Sequence, residues 1–260
     1  MNHQVVTIPF RFIATMVFCS AITVSCQPQG RAEYKPSGDR RPFTQIAPNH
    51  SGFRVVKTRY HGSEGGFPTT QTMPPGVDLV IQRSGAPSAT IKILNLESDP
   101  NSDLNPSSIK EWKSILSSEG HPQLGKRFPS ILPPINAARV LQAKERIQSF
   151  PWGKAAVFLA VYGQDIPRQM GNEDLYLVVQ GITTDGRYSV RMLIPVRHPQ
   201  LPESSFATPP KGKTILAVEP SPRQAIRWLN TQPSNAFSPS IQQVESLLSA
   251  LKIQTLSHED

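Results

Sequence analysis

Both cysteines of this 260-residue chain, Cys19 and Cys26, lie within its first 26 residues. Everything downstream must fold without an internal disulfide and without a thiolate metal site. Stability therefore has to come from packed side chains. The length allows one good-sized core, since a domain takes about 100 to 200 residues. The 26 prolines are about twice the share found in average usage, which implies short elements and many loops. A formal net charge of +8 favours contact with anionic matter: lipid head groups, cell-wall polymers or nucleic acid.

The start of the chain reads as a targeting segment. Arg11 precedes an uncharged apolar run, Phe12 to Val24. That run matches the core of a signal peptide and is shorter than the roughly 20 residues that span a bilayer as a helix. Thr23-Val24-Ser25-Cys26 follows, and then the polar stretch Gln27-Pro28-Gln29-Gly30-Arg31. This arrangement resembles the lipobox of bacterial lipoproteins. The resemblance implies removal of residues 1–25 as a lipoprotein signal peptide, and attachment of diacylglycerol, often with a further palmitate-type chain, at Cys26. Two or three acyl chains anchor stably where one does not. The resemblance thus implies a protein exported and lipid-anchored to a bacterial membrane, facing the periplasm or the cell exterior. An ordinary secretory peptide or a single-pass anchor is the alternative.

Residues 26–75 are rich in Pro, Gly, Ser and charge, with one apolar cluster at Phe53-Arg54-Val55-Val56. They read as a basic, largely unstructured tether with at most one strand. The stretch carries Arg31, Lys35, Arg40, Arg41, Arg54, Lys57 and Arg59 against Glu33, Asp39 and Glu64, a basic tether that could lie on anionic head groups. Arg31, Lys35, Arg40 and Arg41 are its candidate contacts to an anionic surface, each contributing roughly 1 kcal/mol near anionic head groups. A solvated linker is the plainer reading.

The folded body is expected over residues 76–256. Val77–Ile81 and Ala89–Leu96 are β-rich runs on either side of a turn composition, a hairpin pattern. Asn105 caps a helix with Pro106 in its first position and Ile109, Trp112, Ile115 and Leu116 at helical spacing. Trp112 reads as a core anchor. Over residues 137–148 the local signals divide between helix and strand. Ala155–Tyr162 is apolar on both faces, the mark of a central strand. Leu175–Ile182 and Arg187–Ile194 flank Asp185-Gly186, a dipeptide that tolerates a tight primed turn. On the return strand Ser189 and Arg191 share one face, opposite Tyr188, Val190, Met192 and Ile194, so a half-buried strand is predicted. Gln224–Leu229 predicts a short helix. Ser238 then caps a last one with Pro239 at its first position. The fold class is α+β: a mainly antiparallel sheet of hairpins with a few packed helices, behind a flexible N-terminal tether.

Across Leu132 to Pro202 the chain also resembles a block recurring in uncharacterised bacterial exported proteins. It is carried by Leu132-Pro133-Pro134-Ile135-Asn136-Ala137-Ala138, Val161-Tyr162-Gly163-Gln164, Leu175-Tyr176, Gln180 to Tyr188 and Pro195 to Pro202. The resemblance implies a β-hairpin after the double proline, which favours strand for Val140 to Gln148. It implies no reaction.

Few motifs point to chemistry. Ser107-Ser108-Ile109-Lys110 matches the Ser-x-x-Lys of serine acyl-transferases, but Lys213-Thr214 is followed by Ile215 rather than Gly. Gly212-Lys213-Thr214 follows Pro209-Pro210, which lack the N–H groups a phosphate loop needs. His50, His61, His121 and His198 are scattered, so no metal site is expected. Glu173-Asp174 reads as a solvated edge. No catalytic residues, cofactor or metal are assigned, and no nucleic acid is expected as a partner. The expectation is a non-catalytic binding or supporting module of the cell envelope. Its partners are a membrane through the lipid anchor and an unidentified envelope protein or polyanion; a sheet face with Arg187, Arg191 and Arg197 aligned would favour the polyanion, although arginines alternating outward on a strand are ordinarily a solvated face. A cell-envelope hydrolase or serine acyl-transferase is the alternative, which calls for a deep pocket around Ser107 and Lys110.

Overall fold

A computed structural model of the protein describes residues 42–45, 49–50, 52–61, 75–84, 87–97, 104–117, 128–163, 169–205, 212, 215–218 and 221–255. Ten strands and three α-helices are assigned among them. The strands are β1 (Pro42–Gln45), β2 (Asn49–His50), β3 (Phe53–His61), β4 (Gly76–Arg83), β5 (Ala89–Asn95), β6 (Ala138–Phe150), β7 (Gly153–Gly163), β8 (Leu175–Thr183), β9 (Tyr188–Pro195) and β10 (Lys252–Thr255). The helices are α1 (Pro106–Ser117), α2 (Arg223–Thr231) and α3 (Ile241–Ser249).

Eight strands form one sheet in the order β2-β3-β4-β5-β9-β8-β7-β6, every pair antiparallel. The arrangement is two meanders, β2 to β5 and β6 to β9, joined where β5 pairs with β9. Such a sheet alternates side chains between two faces, and here both faces are covered over the second meander. On one side Val157, Leu159, Val161, Val179, Val190 and Met192 pack with α2 and α3. On the other, Ala156, Phe158, Ala160 and Val178 pack with Trp112 and Leu116 of α1 and with Phe128, Ile131 and Leu132. The α+β class and the antiparallel pairing agree with the sequence reading.

Several local expectations hold for the reasons given. Asn105 Oδ1 accepts from the Ser107 N–H at 2.9 Å, which caps α1. Trp112 is fully buried and its indole donates to the Ser130 carbonyl at 2.8 Å. β7 is an interior strand, flanked by β6 and β8, with Ala155 to Val161 fully buried. Residues 138–150 are strand, paired with β7 across Pro151-Trp152.

Four expectations are corrected. The body does not begin near Gly76: β3 pairs with β4 along its length, and β1 pairs with β10. The 26–75 stretch therefore supplies strands, because the apolar cluster at Phe53 adds to an existing edge, where Phe53 is buried. The Asp185-Gly186 turn is not primed. Gly186 alone has a positive φ, +73°, and its N–H donates to the Thr183 carbonyl at 2.8 Å, while the Asp185 carboxylate accepts from the Arg187 N–H. The last helix is capped by Ser240 and not Ser238: Ser240 Oγ accepts from the Gln243 N–H at 3.1 Å, and Gln243 Oε1 accepts from the Ser240 N–H. Ser238 instead pairs through its backbone with Arg197. Finally, β9 is buried on both faces, since the 128–136 segment lies over Ser189 and Arg191.

Candidate functional site

Residues opposite one another in paired strands share a face. The register therefore puts Arg59, Asp78, Lys92, Arg191 and Gln180 in one row across five adjacent strands, β3, β4, β5, β9 and β8. Sequence spacing alone does not reveal this row. A second alignment runs along β3. Arg54 lies opposite Gln82 and Lys57 opposite Val80, although three residues separate them and a regular strand would turn them to opposite faces. The register shift between Val55 and Lys57 restores the match, as a bulge does by inserting one unpaired residue. Arg54, Lys57 and Arg59 thus share one face with the row.

The two ends of the row differ. At its inner end Gln180 is fully buried, accepting from the Leu132 N–H at 2.8 Å and donating to Ser189 Oγ at 2.8 Å. Arg191 is 8% exposed and its guanidinium donates to the Pro133 carbonyl at 2.6 Å. Burial lowers the Arg191 pKa, with Asp78 and Tyr162 opposing. In the middle, Lys92 and Asp78 form an ion pair at 2.7 Å. At the outer end Arg54, Lys57 and Arg59 are exposed. Among the described residues none of the three is in an ion pair. The inner end is structural, locking the 128–136 segment to the sheet, and the outer end is a free basic surface.

The residues that sequence reasoning singled out are dispersed. Cys26, Arg31, Lys35, Arg40 and Arg41 lie outside the described residues, as do His121 and Lys213. Ser107 and Lys110 are exposed on α1, and the Ser107 hydroxyl donates to Asn105 Oδ1 at 2.6 Å, so it serves the helix cap. The shallow cleft bordered by Phe53, Ile81, Arg83 and Pro239 lies on other elements and contains neither of them. Glu173 is exposed, as a solvated edge is, and its carboxylate accepts from Ser204 Oγ and from Ser205 N–H and Oγ, the Ser204 bond leading in holding its pKa down. Asp174 is raised by burial. His198 is buried, its Nδ1 accepting from the Gln200 N–H at 3.3 Å and its ring edge-on to Trp228 and Phe237.

The alignment of three arginines that would favour a polyanion is not found. Arg187 sits in the β8–β9 turn, Arg191 is buried, and Arg197 lies past the end of β9 in an exposed ion pair with Glu203 at 2.8 Å. Among the described residues no group of three or more His, Cys, Asp or Glu is placed to hold a metal ion, and no helix is long and apolar enough to cross a membrane. No protein-family profile, curated protein or solved structure matches the chain.

Proposed function

We propose that the chain is an exported protein, lipid-anchored through Cys26 to a bacterial membrane, whose α+β body is a non-catalytic binding or supporting module of the cell envelope. The carrying observation for the anchor is the apolar run Phe12 to Val24 ending in Thr23-Val24-Ser25-Cys26, with Cys26 the last cysteine of the chain. For the body, support comes from the fate of the chemically capable side chains. Ser107 completes a helix cap, Glu173 holds a turn and His198 packs against two aromatic rings. A nucleophile needs a base within hydrogen-bond reach and an excluded volume for substrate. Ser107 is exposed and hydrogen-bonded to an asparagine.

Cells fed a labelled palmitate test the anchor: wild type incorporates label and Cys26→Ala does not. Equal labelling of both ends the proposal. Crosslinking in the membrane-bound form then identifies what the body holds. A Ser107→Ala variant keeps that crosslinking pattern, whereas loss of a measurable hydrolase or acyl-transferase activity in this variant would establish the enzymatic reading instead.

A further inference from the structure

We infer that the β3 face bearing Arg54, Lys57 and Arg59, together with the bulged Val56, docks on the anionic head groups of the membrane that holds the chain. The choice of membrane rests on the reading of Cys26 as the anchor. Three features of the fold carry the inference.

The register shift at Val55/Lys57 gathers three cations on one exposed face of a strand nine residues long. The nearest acid on that face, Asp78, is taken up by Lys92. The charge of β3 therefore has no carboxylate to answer it among the described ion pairs, and it complements an anionic surface.

Val56, between these cations, is 43% exposed, one of two large apolar side chains with that degree of exposure among the described residues. Apolar side chains beside Lys and Arg suit the boundary between head groups and acyl chains. A linear polyanion uses the cations and has no use for the valine. Hence the lipid surface is the better fit.

Reach is sufficient. β1, which pairs with β10, begins 16 residues after Cys26, and an extended chain covers at most about 3.3 to 3.6 Å per residue, so about 55 Å at most. A near-surface Lys or Arg contributes about a five-fold factor in partitioning onto anionic lipid. Three such factors hold a free protein weakly. They hold a tethered one well, because the tether raises the local concentration.

The test uses the full chain carrying Cys26→Ala, so that no acyl chain contributes. Its partitioning is compared on vesicles of phosphatidylcholine and of an equimolar mixture with phosphatidylglycerol. The expected result is a strong preference for the anionic vesicles that falls about 100-fold in Arg54→Gln/Lys57→Gln/Arg59→Gln, three factors of about five. Glu at the same three positions, which adds repulsion, gives a larger fall, and Val56→Ser weakens binding to the anionic vesicles. Circular dichroism confirms that each variant is folded. A preference that survives the Glu triple overturns the inference and assigns lipid binding to other cations. Soluble polyphosphate that binds through the same three residues, with Val56→Ser without effect on vesicles, overturns the choice of lipid. Palmitate labelling of the wild type reads the anchor separately, so failure of one does not imitate failure of the other.

Discussion

Arg191 donates from its guanidinium to the carbonyl oxygen of Pro133 at 2.6 Å, and this bond ties the middle of the sheet to the segment laid over it. Pro133 and Arg191 are 58 residues apart. Arg191→Met keeps the apolar stem and removes the donor, leaving a buried carbonyl without its charged partner. Hydrogen bonds to charged groups contribute about 1.5 to 3 kcal/mol. The unfolding free energy should fall by an amount in that range, read as a lower urea midpoint at an unchanged denaturant slope. An Arg191→Met variant as stable as wild type would show that the 128–136 segment is held by its apolar contacts alone.

Gly181 is required by a close approach. A Cβ there would stand 2.6 Å from Trp152 Cη2 and 2.8 Å from the Ala155 Cβ. Trp152 in turn stacks on Phe150 and donates from its indole to the Leu248 carbonyl at 2.9 Å, which binds α3 to the sheet. Gly181→Ala is expected to destabilise by about 1 to 3 kcal/mol through overpacking. Trp152→Leu costs stability alone, yet the pair should lose less than the sum of the singles. Simple additivity in a double-mutant cycle would contradict the contact.

Ser240 and Ser238 make a paired test of the α3 boundary. Ser240→Ala removes the acceptor of the Gln243 N–H and should cost about 1 kcal/mol. Ser238→Ala removes only an exposed acceptor of an Arg83 bond and should have little effect on stability. Thermal melts of the two variants separate them, and the reverse order would return the cap to Ser238.

His198 gives the fold a pH dependence of definite sign. Burial lowers its pKa below the ordinary 6.5, with the Gln232 side chain opposing. Above 6.5 both folded and unfolded forms are neutral and the group contributes nothing to the slope. As pH falls through 6.5, the unfolded chain takes up a proton that the folded chain resists, so stability falls until the folded value is passed. Urea midpoints between pH 8 and 5, as an approximate working range, should fall more steeply for wild type than for His198→Asn. Parallel profiles would mean that His198 protonates in the fold as it does in water.

What was legible in the sequence was local. The Asn105-Pro106 start of α1, the two-faced apolar run of β7 and the Asp185-Gly186 reversal each depend on neighbours a few residues away, and the structure has all three where expected. What escaped depends on distant pairing. Arg191 alternates with apolar residues as an exposed arginine does, and only the segment arriving from Pro133 buries it. β10 is four residues whose partner is β1, some 210 positions upstream. The basic face of β3 was hidden for a third reason: Arg54 and Lys57 have the wrong parity for one face until the register shift corrects it.

The central claim is that Cys26 holds the chain on a membrane, and mass spectrometry of the protein purified from membranes addresses it most directly. Trypsin cleaves after Arg11 and Arg31. The account predicts a peptide that starts at Cys26, ends at Arg31 and carries a thioether-linked diacylglycerol. An intact peptide running from Phe12 to Arg31, or one that retains Cys26 as a free thiol, would contradict it.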